Sequence, residues 1–341
     1  MSRPHKEADF IAHAIQLLNS GNVVAIPTET VYGLAAAINS PEGINKIFSV
    51  KQRPFFDPLI VHVSSIEQAK TLVKEWPPAV DCIAQHFWPG PLTMVLEKNH
   101  QVSDLITSGL PTVGIRMPQN ELTLNLIREL NIPLAAPSAN KFGKTSPTTA
   151  EHVLKEFQDQ VFVIDGGPCE AGIESTIISL QEFTDAHSKN LKLTLLRPGI
   201  IIKTQIEDVL KKNGWKVTWT PPISKQMAPG QMKHHYMPPI PLIMGSAVTD
   251  EHLIHEVSRQ INLLPLEIDG VKIIRPNKIQ KIHRLILPED ANLCARQLYS
   301  ELRKAAETKA DIMFFELTDL HQSPDWEAVM DRMKKAASLI L

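Results

Sequence analysis

Six prolines fall within the twenty-two residues from Thr220 to Pro241, TPPISKQMAPGQMKHHYMPPIP, and this stretch constrains the fold more than any other. Proline fixes φ, removes a backbone donor and ends helices, so no long regular element can run through the tract. It carries almost no periodic apolar pattern either. The chain must fold as one part before the tract and one after it, joined by an extended linker or a structured functional loop. The 341 residues give the same answer, since a domain takes about 150. We place the parts at residues 8–205 and 242–341, with the linker at 217–241.

Before the tract, two periodicities alternate. Residues 6–19 set Phe10, Ile11, Ala14, Ile15, Leu17 and Leu18 at helical spacing, and Gly21 then stops the helix. Further helices are expected at 41–50, 66–74, 79–87, 121–130 and 149–156. Short apolar runs predict strands at 23–27, 59–63, 92–96, 113–117, 134–136, 161–164, 175–180 and 193–196. The reading is mixed α/β, too irregular in its alternation for an all-parallel sheet. After the tract the order is regular: strand 242–245, helix 250–263, strand 284–287, helix 288–307, strand 312–316, helix 326–337. That predicts a smaller Rossmann-like α/β domain, without the G-x-G-x-x-G that dinucleotide binding would need.

The formal charge is −2, from 35 basic and 37 acidic residues. A chain built to grip long nucleic acid is usually more basic. The three cysteines, Cys82, Cys169 and Cys294, form no C-x-x-C pair, so neither a zinc site nor a disulfide scaffold is indicated. The N-terminal MSRPHKEADF lacks the apolar core of a signal peptide, and no apolar run approaches the roughly 20 residues that span a bilayer. A cytoplasmic protein is expected.

The polar residues that could carry chemistry gather near strand ends. Lys51 and Arg53 stand two apart before Pro54; in extended chain that spacing aims both to one side, where they suit a polyphosphate or are a solvated surface pair. Ser138 and Asn140 follow a strand and can hydrogen-bond a ligand, or serve a Gly/Ser/Pro turn. Gly143-Lys144-Thr145 imitates the end of a phosphate-binding loop, but Ser138 stands where its first glycine should be and Pro147 breaks the helix that should follow. Asp165-Gly-Gly-Pro168 and Gly172 lead to Glu174-Ser-Thr176 in a turn-rich loop that can turn N–H groups to an anion or merely connect two strands. His62, inside LIVHV, reads first as a core histidine. Arg116, inside a strand, needs an anionic partner or solvent, which makes it the better carboxylate ligand. No Ser-His-Asp order, H-E-x-x-H or metal-spaced carboxylate cluster occurs, and His234 and His235, as neighbours, point apart.

Together, IPTETVYGLAA (26–36), K-x-R-P before PLIVHV (51–63), FWPGPLT (87–93), R-x-P (116–118), APSAN-x-FG-x-x-SPTTA (136–150), DGGPC-x-x-G-x-EST (165–176) and LRPG (196–199) resemble one family, the YrdC-like threonylcarbamoyl-AMP synthases. APGQMKHHYMP (228–238) is similar to the interdomain motif of the family's longer two-domain form, and DWEAVMDRMKKAAS (325–338) to the end of its second domain. The resemblance is weakest over 245–310. It implies a twisted mixed sheet with a concave, positively lined cavity, and a nucleotidyltransferase acting on ATP, L-threonine and bicarbonate, with Mg²⁺ accompanying the triphosphate. It implies Lys51 and Arg53 as catalytic and ATP-binding residues, with Thr112, Ser138, Asn140, Ser146, Arg197 and Tyr236 on ATP. Thr30, His62, Arg116, Ala136 and Ser175 are implied on threonine. Its product would pass to a tRNA threonylcarbamoyl-transferase complex for threonylcarbamoyladenosine modification; direct contact with tRNA is a weaker implication, and a membrane is not implied. Two departures stand out: Asp57, where relatives often have a polar or basic residue facing phosphate, and Ala228, where the linker motif usually opens on serine. An RNA- or ribosome-binding module using the same basic cavity is the alternative from another class. The charge of −2 and the lack of interleaved aromatics for base stacking speak against it. Hydrogenase-maturation relatives carry zinc-binding and acylphosphatase-like segments, which three scattered cysteines do not supply.

Overall fold

The computed structural model describes residues 3–185, 188–222, 228–230, 232, 235–265, 267–268 and 271–341, with the side chains of 3–7, 182–185 and 188 excepted. Much of the proline-rich tract, His234 included, lies outside the described residues.

Ten strands among the described residues make one mixed sheet in the first part. They are β1 (Val24–Ile26), β2 (Gly33–Ala37), β3 (Ile60–His62), β4 (Leu92–Glu97), β5 (Thr112–Arg116), β6 (Leu134–Ala135), β7 (Phe162–Val163), β8 (Thr176–Asp185), β9 (Ser188–Arg197) and β10 (Trp215–Thr220). Their spatial order is β10-β9-β8-β4-β5-β3-β6-β2-β1-β7. Parallel pairs (β3 with β5, β4 with β8) interleave with antiparallel ones (β4 with β5, β8 with β9), so the sheet is not all-parallel, as the irregular alternation had indicated.

Side chains alternate across the sheet, and each face is covered. Val24, Ile26 and Ala35 meet Ile11, Ala14 and Leu18 of α1 (Arg3–Asn19) and Leu126, Ile127 and Leu130 of α6 (Glu121–Leu130). Ala25, Leu34 and Ala36 point the other way, into a core with Ile44, Ile47 and Phe48 of α2 (Pro41–Lys51). That core also takes Val80, Ile83 and Ala84 of α4 (Pro78–Phe87) and Ile206 and Leu210 of α8 (Lys203–Lys212). Each such leucine or isoleucine contributes about 1.5–3 kcal/mol by leaving water. The short helices α3 (Ile66–Lys70) and α5 (Asp104–Thr107) and the longer α7 (Ala150–Phe157) complete this part.

In the second part, β11 (Leu242–Gly245), β14 (Ile282–Arg284), β15 (Ile312–Glu316) and β16 (Ala337–Ile340) form an all-parallel sheet ordered β14-β15-β11-β16; β12 (Glu267–Ile268) and β13 (Val271–Lys272) make a separate hairpin. Ile243 faces Leu253 and Val257 of α9 (Asp250–Gln260). Leu242 and Met244 face α10 (Ala291–Glu307) and α11 (Glu327–Ala336). Helices on both faces of a parallel sheet make this the expected Rossmann-like unit. The α10–α11 side shares its core with Val31, Ile173 and Tyr236, so the two parts are packed together rather than merely tethered.

Several details differ from the sequence reading: an unexpected strand, β2, occupies Gly33–Ala37, and the helix expected at 66–74 ends at Lys70. The linker does not begin at 217: Trp215–Thr220 is an edge strand running parallel to β9, and with α8 it extends the first part past residue 205. The strand placed at 284–287 lies at Ile282–Arg284. The last helix ends at Ala336, and ASLI, which follows with no Gly or Pro to mark the break, is strand β16.

Candidate functional site

A cavity opens where the β1–β2 turn, the segment after α2, the ends of β3 and β5, the loop after β6 and the end of β9 converge. The proline-rich tract closes over it. Its lining includes Thr28, Thr30, Arg53, His62, Arg116, Ala136, Ser138, Glu174, Arg197, Gly230, His235 and Tyr236.

The cations are buried, and each is fixed. Lys51 is the last residue of α2; Gln52 follows with φ 53° and reverses the chain, so Lys51 is not in the extended segment that its spacing with Arg53 had suggested. Its ammonium bonds the carbonyls of Ser138 (2.6 Å) and Asn140 and so ties the loop after β6 to α2. Burial, then the neighbouring charge of Arg53, hold its pKa well below the ordinary lysine value, against the opposing pull of Asp57. Arg53 pairs with Asp57 at 2.8 Å and donates to the Pro58 carbonyl at 2.9 Å. Burial raises the Asp57 pKa, with Arg53 opposing.

Arg116 has the anionic partner that a strand arginine requires: Glu29 at 2.7 Å, with Thr30 Oγ1 accepting a second N–H at 2.9 Å. His62, next to it, is neutral; burial and then the Arg116 charge lower its pKa to about 3. Arg197 bonds the Ser175 carbonyl and hydroxyl (both 3.1 Å) and the Pro229 carbonyl (3.3 Å), joining β9 to the tract. Among these groups Arg53 and Arg116 each have a carboxylate, whereas Lys51 and Arg197 bond carbonyls and a hydroxyl. These groups sit in a setting of low dielectric, where their interactions with an anion are strong.

Tyr236 sits in the tract with φ 64° and is 1% exposed. Its ring packs 5.6 Å from that of Tyr299, under the guanidinium of Arg332, while its hydroxyl reaches the cavity with no hydrogen-bond partner. Asn140 Oδ1 and His235 Nδ1 are likewise buried and unpartnered. Such polar atoms are costly unless something satisfies them, and Tyr236 and His235 line the cavity. Backbone bonds hold the strap down: His235 N to the Lys335 carbonyl (3.0 Å) and Met237 N to the Gly143 carbonyl (2.8 Å). Gly230 is required, because a Cβ there would lie 2.6 Å from the Tyr236 hydroxyl.

Of the residues expected from the sequence, Thr30, Arg53, His62, Arg116, Ala136, Ser138, Arg197 and Tyr236 line this cavity. Lys51, Ser146 and Ser175 are buried just behind it and bond lining residues, whereas Asn140, also buried, bonds Lys51, Lys141 and Lys144. Thr112 stands apart, on the face of β5 that carries Arg116 but four residues along the strand, beneath Ala228 and Pro229. Ala228 itself packs with Ile60, Val95, Ile177 and Leu196, an apolar seat suited to alanine. Sequence reasoning missed the acids that hold the cations. Glu29 sits in the quoted PTET, Glu174 in the quoted EST, and Asp57 was noted only as a departure.

Fold and site define a class: a two-part α/β protein whose enclosed, cation-lined cavity is closed by a strap pinned between the parts. A family profile for Sua5, YciO and YrdC, described as "Telomere recombination", matches residues 16–199; one described as "Threonylcarbamoyl-AMP synthase, C-terminal domain" matches 201–338. The threonylcarbamoyl-AMP synthase of Bacillus subtilis is 38% identical over 337 residues, covering 96% of this chain and 92% of that one. That of Pyrococcus abyssi is 36% identical over 326 residues, covering 95% and 93%. The crystal structure of P. abyssi Sua5 complexed with L-threonine superposes with a TM-score of 0.77 at 32% identity, over 98% of this chain and 96% of that chain. The chain belongs to the threonylcarbamoyl-AMP synthase family, in its longer two-domain form.

Proposed function

We propose that the chain is an L-threonylcarbamoyladenylate synthase. It makes threonylcarbamoyl-AMP and pyrophosphate from L-threonine, bicarbonate and ATP, for threonylcarbamoyladenosine modification of tRNA. The observation that carries this reading is the enclosed cavity in which Arg53, Arg116 and Arg197 converge beneath Tyr236. The relatives' name and the threonine complex of the P. abyssi enzyme support the choice of substrates.

The chemistry asks little of side chains beyond charge and position. The amine of threonine attacks carbon dioxide and loses a proton, or attacks bicarbonate with loss of water, and either route gives a carbamate. A carbamate oxygen then attacks the α-phosphorus, and the bond to the β-phosphate oxygen breaks, that oxygen leaving with the electron pair as pyrophosphate. Negative charge grows on phosphate oxygens, where fixed cations and N–H donors stabilise it. Lys51, Arg53 and Arg197, with Ser138, Asn140, Ser146 and Tyr236, take the nucleotide; Thr30, His62, Arg116, Ala136 and Ser175 take threonine, Glu29 holding the Arg116 guanidinium in place. The carboxylates near the phosphate residues, Asp57 and Glu174, are each engaged by an arginine, and no group of three metal-ligating side chains occurs among the described residues. Magnesium, when bound with the triphosphate, would supply further neutralisation of the charge that grows on its oxygens.

The test is pyrophosphate release by the pure full-length chain. Release should require ATP, threonine and bicarbonate together. Release that is equally fast without threonine, or none at all, would overturn the reading.

A further inference from the structure

Glu174 is an unexpected resident of a cavity suited to anions. Its carboxylate lies in the lining beside Arg197 and Tyr236, where an uncompensated negative charge would repel a polyphosphate. Three groups are aimed at it. Ser146, after β6, donates to Oε1 at 2.6 Å. The Tyr299 hydroxyl of α10 donates to Oε2 at 2.9 Å, and Arg332 of α11 donates its Nε to the same oxygen at 2.9 Å. Two of the three come from the second domain. Arg332 is 0% exposed, donates further to the Glu174 and Pro198 carbonyls, and holds its guanidinium 5.6 Å from the centre of the Tyr236 ring.

We propose that Arg332 is a positioning residue of the cavity: the C-terminal domain inserts it to neutralise Glu174 and seat the Tyr236 ring, so that the cavity takes an anionic nucleotide only while that domain is docked. The proposal rests on the ATP reading above. Burial alone would raise the Glu174 pKa; Arg332, then Arg197, then the Ser146 hydrogen bond outweigh it and bring it to about 2. The other groups facing Glu174 carry no charge near neutrality. Burial keeps the Tyr299 and Tyr236 phenols protonated, and burial keeps His235 neutral, with a pKa of about 3. Asp331, beside Arg332, is shared with Lys335. Removing Arg332 leaves Arg197 as the cation still lowering the Glu174 pKa, Lys335 being paired with Asp331, and burial then opposes the charge of Glu174.

The experiment is equilibrium ATP binding, without threonine or bicarbonate, to full-length wild type, Arg332→Met, Arg332→Lys and the double variant Glu174→Gln with Arg332→Met, from pH 5 to 9. Each variant's Kd is expressed relative to wild type at the same pH, which removes the nucleotide's own titration. Arg332→Met should bind about tenfold more weakly or worse at pH 8, and the ratio should shrink toward acid as Glu174 takes up a proton. Arg332→Lys should retain most of the affinity. The double variant should recover it, and turnover should show a raised KM for ATP more than a lowered kcat. Wild-type affinity in Arg332→Met at every pH, or a loss that Glu174→Gln does not relieve, overturns the proposal. If Arg332→Met does not fold, the lysine and double variants decide. Wild type that binds no ATP would instead overturn the functional reading; the pairing is then read in thermal unfolding, where Glu174→Gln should again rescue Arg332→Met and failure to do so overturns it.

Discussion

Lys51 turns its ammonium inward at the end of α2, and at 1% exposure it is a buried group rather than part of an open, solvated wall. Alanine there removes two hydrogen bonds that hold the Ser138–Asn140 backbone, so Lys51→Ala should lose stability, by about 1–3 kcal/mol, as well as activity. Arg53→Ala should lower adenylation by about 10²–10³, the usual effect of deleting one positioned charge donor. Pyrophosphate release at saturating ATP checks both, and near-normal rates in both variants would remove them from the site. The K-x-R-P pattern showed these cations, although the extended geometry read from their spacing does not hold at Lys51. The sequence hid their partners, because an acid that pairs across the fold has no local signature: Glu29 meets Arg116 over 87 residues. His62 and His235 carry a second prediction. With pKa values of about 3 in the fold, against about 6.5 in the unfolded chain, the unfolded state binds more protons between those limits. Stability should therefore fall as pH drops from 6.5 toward 3, by up to about 1.4 kcal/mol per pH unit for each ring. The slope of unfolding free energy against pH should be shallower in His235→Gln; an unchanged slope would show that His235 does not titrate differently in the two states.

At the scale of elements, the strands and helices with strong apolar periodicity were legible to within a few residues, and the losses have physical causes. β2 is GLAAA, weak in β-propensity; it is a strand because small residues let α2 approach a fully buried sheet position. α8 places Ile206, Val209 and Leu210 at helical spacing, a signal that was present but short. WKVTWT in β10 alternates as a strand should, yet it borders the proline tract and was absorbed into it. The described parts of the tract are held as a strap: Arg197 holds Pro229, Lys335 donates to the Gly230 carbonyl at 2.7 Å, and Thr145 donates toward the Tyr236 and Met237 carbonyls. Tyr236→Ala, or deletion of 228–238, should sharply weaken ATP binding or slow synthesis. Gly230→Ala should do so as well, because its Cβ would displace the Tyr236 hydroxyl. Protease should cut the wild-type tract more slowly with ATP and threonine than without. Equal cutting in both states together with full activity after deletion would return the tract to the status of a tether.

At the scale of the whole molecule, Tyr299 and Arg332 reach Glu174 only because the second domain packs closely on the first. The two parts approach closely at Gly172, whose φ is +74° and where a Cβ would stand 2.4 Å from the Arg296 Cα and 2.6 Å from the Ala295 carbonyl oxygen. These are backbone atoms of α10, which cannot move singly, so any side chain at 172 must push the helix back. That helix carries Tyr299, bonded to Glu174, and Arg303, bonded to the Thr145 carbonyl. The sequence showed Gly172 as one member of a turn-rich loop; that it faces a helix more than a hundred residues away could not be read locally. The same holds for Arg332, whose one clue is its place in the apolar stripe of Val329, Met333 and Ala336 on α11. Gly172→Ala should therefore lower the melting temperature and weaken ATP binding, although neither Gly172 nor Arg296 lines the cavity. Overpacking costs about 1–3 kcal/mol and the left-handed φ adds about 1–2 more. Gly109→Ala is the control: its φ is +77° but nothing lies within 4 Å of its Cβ position. It carries the backbone penalty alone and should leave nucleotide affinity unchanged. If Gly172→Ala behaves like Gly109→Ala, losing a little stability and no affinity, then the approach of α10 does not govern the cavity.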